Sequence, residues 1–176
     1  IIIIDHLNDG SKKNLINVNK SKKIENIKEN IINFKKIVKY FKDVKYVFHL
    51  AAIADIVPSI VNPREYLDTN FSGTINVLEA SRKYKIKKII YAASSSCYGL
   101  ANKREVDEKT KVSTLYPYSF SKNIAEQAVI HWSRVYGLKF ISLRLFNVYG
   151  LRSRTTGAYG AVMGVFLKQK LSNKPF

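Results

Sequence analysis

Cysteine is almost absent from this chain. Cys97 stands alone among 176 residues, which rules out an intramolecular disulfide and fits a reducing compartment. Histidine is nearly as scarce, and His6, His49 and His131 lie too far apart for zinc-ligand spacing. No apolar run approaches the roughly 18 residues that a membrane-spanning helix needs. Ile1–Ile4 is too short for the apolar region of a signal peptide and lacks its basic flank. Acids are few, 13 against 30 Lys and Arg, for a net charge of +17. That balance raises nucleic acid or an anionic membrane as a partner. The lysines, however, are scattered among many Ile and Asn residues, a bias that a whole proteome can carry. A nucleic-acid binder would cluster Lys and Arg with exposed aromatics, and no such cluster is found. A basic balance also suits a dianionic small substrate. Two further absences are an initiator Met and any Gly-x-Gly-x-x-Gly; the chain opens in mid-strand and reads as a fragment.

What is present alternates between strand and helix patterns. Ile1–Asp5 is a continuously apolar, β-branched run that ends in an acid and the turn sequence His6–Gly10. Ser11–Lys22 is polar and weakly periodic, and Lys23–Ile27 reads as a short strand before Asn30-Ile31. Phe34, Ile37, Val38 and Phe41 have the spacing of an amphipathic helix. Tyr46–Leu50 reads as a strand running into Ala51-Ala52-Ile53-Ala54, small residues that let backbone approach a flat ligand. His49 within it is expected to be a satisfied core histidine. Pro63 suits the first turn of a long helix to about Tyr84. Within that helix Gly73 costs about 1 kcal/mol against Ala, so close packing on a strand or ligand is expected there. Ile86–Tyr91 is the next strand. Pro117 opens a helix that Gly137 closes, Phe140–Leu145 is a further strand, and an apolar helix is expected over 158–171. Such alternation predicts an α/β fold, a parallel sheet wound on both faces.

Chemistry concentrates at Lys87–Gly99, where a β-type run ends in Ser94, Ser95 and Ser96, and at Tyr118-Ser-Phe-Ser-Lys122. Open α/β sheets place their chemistry at the carboxyl ends of strands. A Tyr and a Lys four residues apart on a helix share a face. The spacing alone is weak, because Tyr84 and Lys88 match it too. Context separates the pairs: Tyr84 closes a helix before a strand, whereas Tyr118 opens one after a strand and its serines. For a phenol to act as a base near neutral pH its pKa must fall by about 3 units, roughly 4 kcal/mol. An ammonium about 5 Å away at an effective dielectric of 20 supplies about 3 kcal/mol of that. In this reading Ser94 holds the reacting hydroxyl, Tyr118 takes its proton and Lys122 supplies the charge. Asp5, at a strand end, suits both hydroxyls of an adenosine ribose and repels a 2′-phosphate; a turn or capping role is the alternative.

Six stretches follow one another in order. They are Asp5-x-Leu7 with Gly10, His49-Leu-Ala-Ala52, Asn70-Phe-Ser-Gly-Thr-Ile-Asn-Val-Leu-Glu79, Tyr91–Gly99, Tyr118-x-x-x-Lys122 and Arg144-Leu-Phe-Asn-Val-Tyr-Gly150. Together they resemble the extended short-chain dehydrogenase/reductases, above all the NAD-dependent nucleotide-sugar epimerase/dehydratase family of the UDP-glucose/UDP-N-acetylglucosamine 4-epimerase type. The resemblance covers Ile1 to about Lys174. It implies a Rossmann-type NAD-binding domain over 1–150 that lacks its first strand, and the start of a substrate-binding domain over 151–176. It further implies that NAD is held by Asp5, Leu7, Asn8, Asn30, Ile31, Leu50, Ala51, Ala52, Ala54, Asn70, Tyr118, Lys122 and Phe146. Ser94, Tyr118 and Lys122 would be catalytic, with Ser95 and Ser96 beside them. Ser94, Ser96 and Asn147 would meet a UDP-sugar. The implied reaction oxidises the sugar C4 hydroxyl and returns hydride to the other face, in a cytoplasmic homodimer without nucleic-acid or membrane partners.

The chain departs from the family pattern in three ways. The Gly-rich turn is absent, Asn30 stands where Asp is usual, and most of the sugar-binding half lies beyond Phe176. Within the family, 4,6-dehydratases usually carry Asp-Glu after the catalytic residue, and UDP-glucuronate decarboxylases keep the Glu. Here those places hold Ser95 and Ser96, so epimerisation, which asks for no extra acid, is the favoured reading. A catalytically silent NAD(H)-binding module is the alternative from another class.

Overall fold

The structure is a computed structural model, and it describes residues 1–7, 15, 23–100, 105–150 and 162–175. These residues divide into two compact units, Ile1–Arg144 and Leu145–Phe176.

In the first unit the β-branched runs form parallel strands. Strand β1 (Ile2–Ile4) pairs in parallel with β2 (Glu25–Ile27), Ile3 opposite Asn26. Strand β3 (Tyr46–His49) pairs in parallel with β4 (Lys88–Ser94), Phe48 opposite Ile90. Strand β5 (Phe140–Leu145) lies on the far side of β4. Among the described residues, therefore, the strands make two separate sheets, β1-β2 and β3-β4-β5. Strand β4 runs to Ser94, beyond the expected Tyr91, with Ala93 buried in the core.

The helices follow the sequence signals with breaks that periodicity does not show. The expected amphipathic helix is α1 (Phe34–Ile37), tightened into a 3₁₀ turn over Val38–Phe41. A helix the sequence reading did not expect, α2 (Ile56–Val61), follows the Ala-rich loop. The long helix from Pro63 is α3 (Pro63–Tyr66), a π turn at Leu67–Ser72 and α4 (Gly73–Lys83) in one run. Helix α5 (Pro117–Tyr136) opens with a capping box between Tyr116 and Ser119, and Gly137 ends it in the left-handed region at φ 68°. That is where a residue without Cβ is least strained. In the second unit α6 covers Val162–Leu171; its expected start at 158 lies outside the described residues.

The core gathers Ile37, Leu78, Ile89, Tyr91, Ala125 and Val129 between α1, α4, α5 and the three-stranded sheet. Each fully buried large aliphatic contributes about 2 kcal/mol. Gly73 is explained here: a Cβ would run into the side chain of Ile31, so the helix and the segment after β2 touch backbone to side chain. The other sheet face shows Tyr46, Phe48, Ile141 and Leu143 to solvent among the described residues. Among the described residues, helices cover one face of β3-β4-β5. No described helix is long and apolar enough to cross a membrane.

Candidate active site

The site grows from the end of β4. Ser94 closes the strand in an extended conformation and its Oγ accepts the N–H of Ser96 at 3.2 Å, capping a single 3₁₀ turn over Ser95–Tyr98. The turn brings Ser96 Oγ to 2.8 Å from Ser94 Oγ. Gly99, at φ 63° and ψ −141°, then turns the chain away in a region that only glycine enters readily. Tyr118 reaches the same oxygen from the first turn of α5, its hydroxyl donating to Ser94 Oγ at 3.5 Å. The Ser94 oxygen has two lone pairs and one hydrogen. With the Ser96 N–H and the Tyr118 O–H donating to it, its own hydrogen goes to Ser96 Oγ. The hydroxyls therefore form a chain, Tyr118 to Ser94 to Ser96.

Lys122 lies one turn further along α5 and is 5% exposed. Its ammonium donates to the carbonyl of Ala92 at 2.6 Å and sits 4.6 Å from the centre of the Tyr91 ring. Burial lowers its pKa to about 8, against the upward pull of the Glu126 carboxylate. His49, at the end of β3, is the buried neighbour on the other side. Thr74 Oγ1 gives its hydrogen to the carbonyl of Asn70 at 2.5 Å, so at 2.8 Å it accepts from His49 Nε2–H. Burial and the charge of Lys122 lower the pKa of His49 to about 3. It is a satisfied, neutral core histidine, as the sequence reading held.

The loop after β3 is fixed by a residue from the π turn. Asn70 is 1% exposed; its Oδ1 accepts the N–H of Ile53 at 2.9 Å and its Nδ2 donates to the carbonyl of Ile53 and to Ser121 Oγ, each at 3.0 Å. Its amide is thus turned onto the chain itself, tying Leu50–Ala54 to α5. Tyr66, which sequence reasoning assigned only to an apolar face, donates its hydroxyl to the carbonyl of Ala54. Its ring meets that of Tyr118 edge-on, with centroids 6.2 Å apart. A tyrosine on a buried helix face implies a partner for its hydroxyl, and that was the available signal. Glu126 and Arg144 were also missed. They form a largely buried ion pair at 3.0 Å, and Ser142 Oγ donates to Glu126 at 2.7 Å.

The remaining expected residues are spread over the two units. Asp5 ends β1; its Oδ1 accepts the N–H of Leu7, which has φ 62°. Asn30 Oδ1 accepts the N–H of Ile32, and Ile31 is buried against Gly73. Leu50 is exposed, Ala51 and Ala52 half-buried and Ala54 exposed. Asn8 lies outside the described residues. Phe146 and Asn147 belong to the second unit and are exposed. Within the first unit, then, Ser94, Ser96, Tyr118 and Lys122 come together at the end of β4 and the start of α5, with Asn70 behind them. No cluster of three or more potential metal ligands occurs among the described residues.

Known proteins resemble this chain in sequence and fold. Over 176 residues the chain is 38% identical to a putative UDP-glucose 4-epimerase of Methanocaldococcus jannaschii, covering 99% of this chain and 56% of that protein. Its structure superposes with a TM-score of 0.93 on UDP-N-acetylglucosamine 4-epimerase from Methanobrevibacter ruminantium in complex with UDP-N-acetylmuramic acid. The identity there is 32%, over 98% of this chain and 55% of that one. UDP-glucose 4-epimerase of Thermus thermophilus in complex with NAD gives a TM-score of 0.88 at 27% identity, over 99% and 56%. The chain thus spans about half the length of the relatives it matches, and its parallel α/β fold corresponds to the N-terminal half of Rossmann-type epimerases. The family model described as NAD dependent epimerase/dehydratase family matches residues 1–176, and the chain, with its serine-ended strand and its Tyr118–Lys122 helix, belongs to that family.

Proposed function

We propose that the protein is an NAD-dependent nucleotide-sugar 4-epimerase acting on a UDP-hexose, by transient oxidation at C4 and return of hydride to the other face. The observation that carries this reading is the contact between Tyr118 and Ser94 at the carboxyl end of β4, with the Lys122 ammonium buried behind it. Relatives named as UDP-sugar 4-epimerases support the substrate class.

The chain's own groups suit NAD. Asp5 keeps one carboxylate oxygen on Leu7 N–H, which leaves the other to accept from a ribose hydroxyl. Leu7, Asn30 and Ile31 would lie along the adenosine end, and Leu50, Ala51, Ala52 and Ala54 along the middle. Lys122 and Tyr118 would meet the nicotinamide end. Asn70 would serve it through the Ile53 loop that its amide holds. Hydride acceptance and return is the chemistry that a bound nicotinamide supplies.

The proton work belongs to the protein. Tyr118 takes the proton of the sugar hydroxyl, Ser94 holds that hydroxyl, and the buried ammonium of Lys122 stabilises the phenolate. The Ser94–Ser96 pair fixes which way the Ser94 hydrogen points. Ser95 and Ser96 bring no acid to the site, and Ser96 is already paired with Ser94, which favours epimerisation over 4,6-dehydration or decarboxylation. Asn147 would meet the diphosphate. The wider reading includes one doubly wound sheet, with the place of its first strand between β1 and β3, and a cytoplasmic homodimer.

The test is turnover of UDP-glucose and UDP-N-acetylglucosamine by the intact protein with NAD, with the C4 epimers resolved by chromatography. Tyr118→Phe is expected to lower kcat by about 10²–10⁴-fold. Unchanged epimerisation in that variant removes Tyr118 as the base. A bound cofactor without any turnover leaves a silent NAD(H)-binding module, and a 4-keto-6-deoxy product makes the protein a dehydratase.

A further inference from the structure

We propose that Arg144 is a positioning residue, which sets the separation between Ser94 and Tyr118 by clamping the serine turn and helix α5 to strand β5. The inference rests on the reading of Ser94 and Tyr118 as the reacting pair. It adds a residue to which the sequence reading gave no role.

Three pieces of chain meet at this guanidinium. From β5, Arg144 Nε donates to both oxygens of Glu126, at 3.1 and 3.0 Å. Glu126 lies one helical turn beyond Lys122 on α5, 4% exposed, and also accepts from Ser142 on β5. Arg144 Nη1 donates to the hydroxyl of Tyr98 at 3.1 Å and to the carbonyl of Glu108 at 3.4 Å. Tyr98 is the last residue of the 3₁₀ turn that begins at Ser95, is 5% exposed, and has its ring centre 5.2 Å from the guanidinium carbon. One planar, permanently charged group thus holds both carriers of the reacting pair, and a planar fork does so in a fixed direction.

The geometry gives such a clamp something to do. The Tyr118–Ser94 contact is 3.5 Å, at the outer limit of a hydrogen bond, and one sugar hydroxyl must reach both groups at about 3 Å. A further drift of about half an ångström between turn and helix would break it. Misplacement by about 1 Å costs on the order of a hundredfold in rate, so half of that corresponds to about tenfold.

The experiment uses the intact protein with NAD and saturating UDP-glucose or UDP-N-acetylglucosamine. Tyr98→Phe removes a single hydroxyl and keeps the ring. Arg144→Lys keeps the charge on Glu126 but cannot span to Tyr98 as well. Both are expected to lower kcat about tenfold or more with KM changed less than twofold. The decisive comparison is Tyr98→Phe in a Tyr118→Phe background. If Tyr98 acts through the reacting pair, its tenfold loss vanishes there; a generally structural loss would persist and add. An unchanged kcat in Tyr98→Phe overturns the proposal, and so does a tenfold loss that survives in the Tyr118→Phe background. A Tyr118→Phe variant as active as the wild type would instead overturn the reading of the pair itself, so the two failures are distinguishable.

Discussion

Replacing Asn70 should cost more than any other single polar change near the site, and the structure sets the amount. The side chain is 1% exposed and makes three hydrogen bonds, two to the backbone of Ile53 and one to Ser121. Asn70→Ala removes all three and leaves the N–H and C=O of Ile53 short of partners in a partly buried loop. At about 1 kcal/mol per bond, with a small cavity added, the expected loss is about 3–4 kcal/mol. Asn70→Asp keeps the shape and the bond from Ile53 N–H. Its second oxygen, however, would face the carbonyl of Ile53 and a Ser121 hydroxyl that already donates to the carbonyl of Tyr118 at 2.8 Å. Only a protonated acid could donate there, so burial among acceptors would raise the folded-state pKa of the new carboxyl. The folded variant would then hold more protons than the unfolded chain over the interval between the two pKa values. Stability relative to wild type would be regained as pH falls through that interval. Urea denaturation of the intact protein at pH 7 and pH 5, each against wild type at the same pH, reads both effects. A loss below 1 kcal/mol for Ala, or no pH response for Asp relative to wild type, would refute the bonding scheme.

Two further outcomes are expected. Lys122 has its pKa lowered to about 8 by burial, so its ammonium is present below that pH and is lost above it. The rate should therefore fall with an apparent pKa near 8 on the alkaline limb, where an ordinary lysine would hold it to about 10.4; a kcat–pH profile flat to pH 10 would contradict this. Gly99→Ala would put a Cβ onto the carbonyl oxygen of Ser113 at a positive φ. Backbone strain of about 1–3 kcal/mol and that collision should displace the serine turn, seen as lowered Tm together with lowered kcat. A variant that melts within 1 °C of wild type and keeps its rate would show that the turn accepts a side chain.

Much of this architecture was readable because the signals were local. The runs Tyr46–His49 and Phe140–Leu145 carry enough aromatic and aliphatic residues to declare strands, and Pro117 and Gly137 bracket α5 by the geometry their backbones allow. Ser94 and Tyr118 could be paired from sequence because one ends a strand and the other opens a helix. Helix α2 was not readable: Pro58 sits inside six residues, too few for a period to emerge. The π turn at Leu67–Ser72 left no trace, since a slip of one residue in an apolar face does not change its composition. Asn70, Tyr66 and Arg144 owe their roles to partners 12 to 51 residues away. Only the fold brings such groups together, and no spacing rule announces them.

The short ladder of β1 and β2 has a thermodynamic corollary. It joins three residues to three, and so short a ladder opens locally at little cost. Asp5 closes that ladder, its N–H donating to the carbonyl of Ile27 at 3.0 Å. Any ligand that grips the Asp5 carboxylate therefore adds its binding energy to this short ladder. Amide exchange along Ile2–Ile4 should slow sharply on saturation, while the amides of Ile89–Ala93, already locked between two neighbours, should hardly respond.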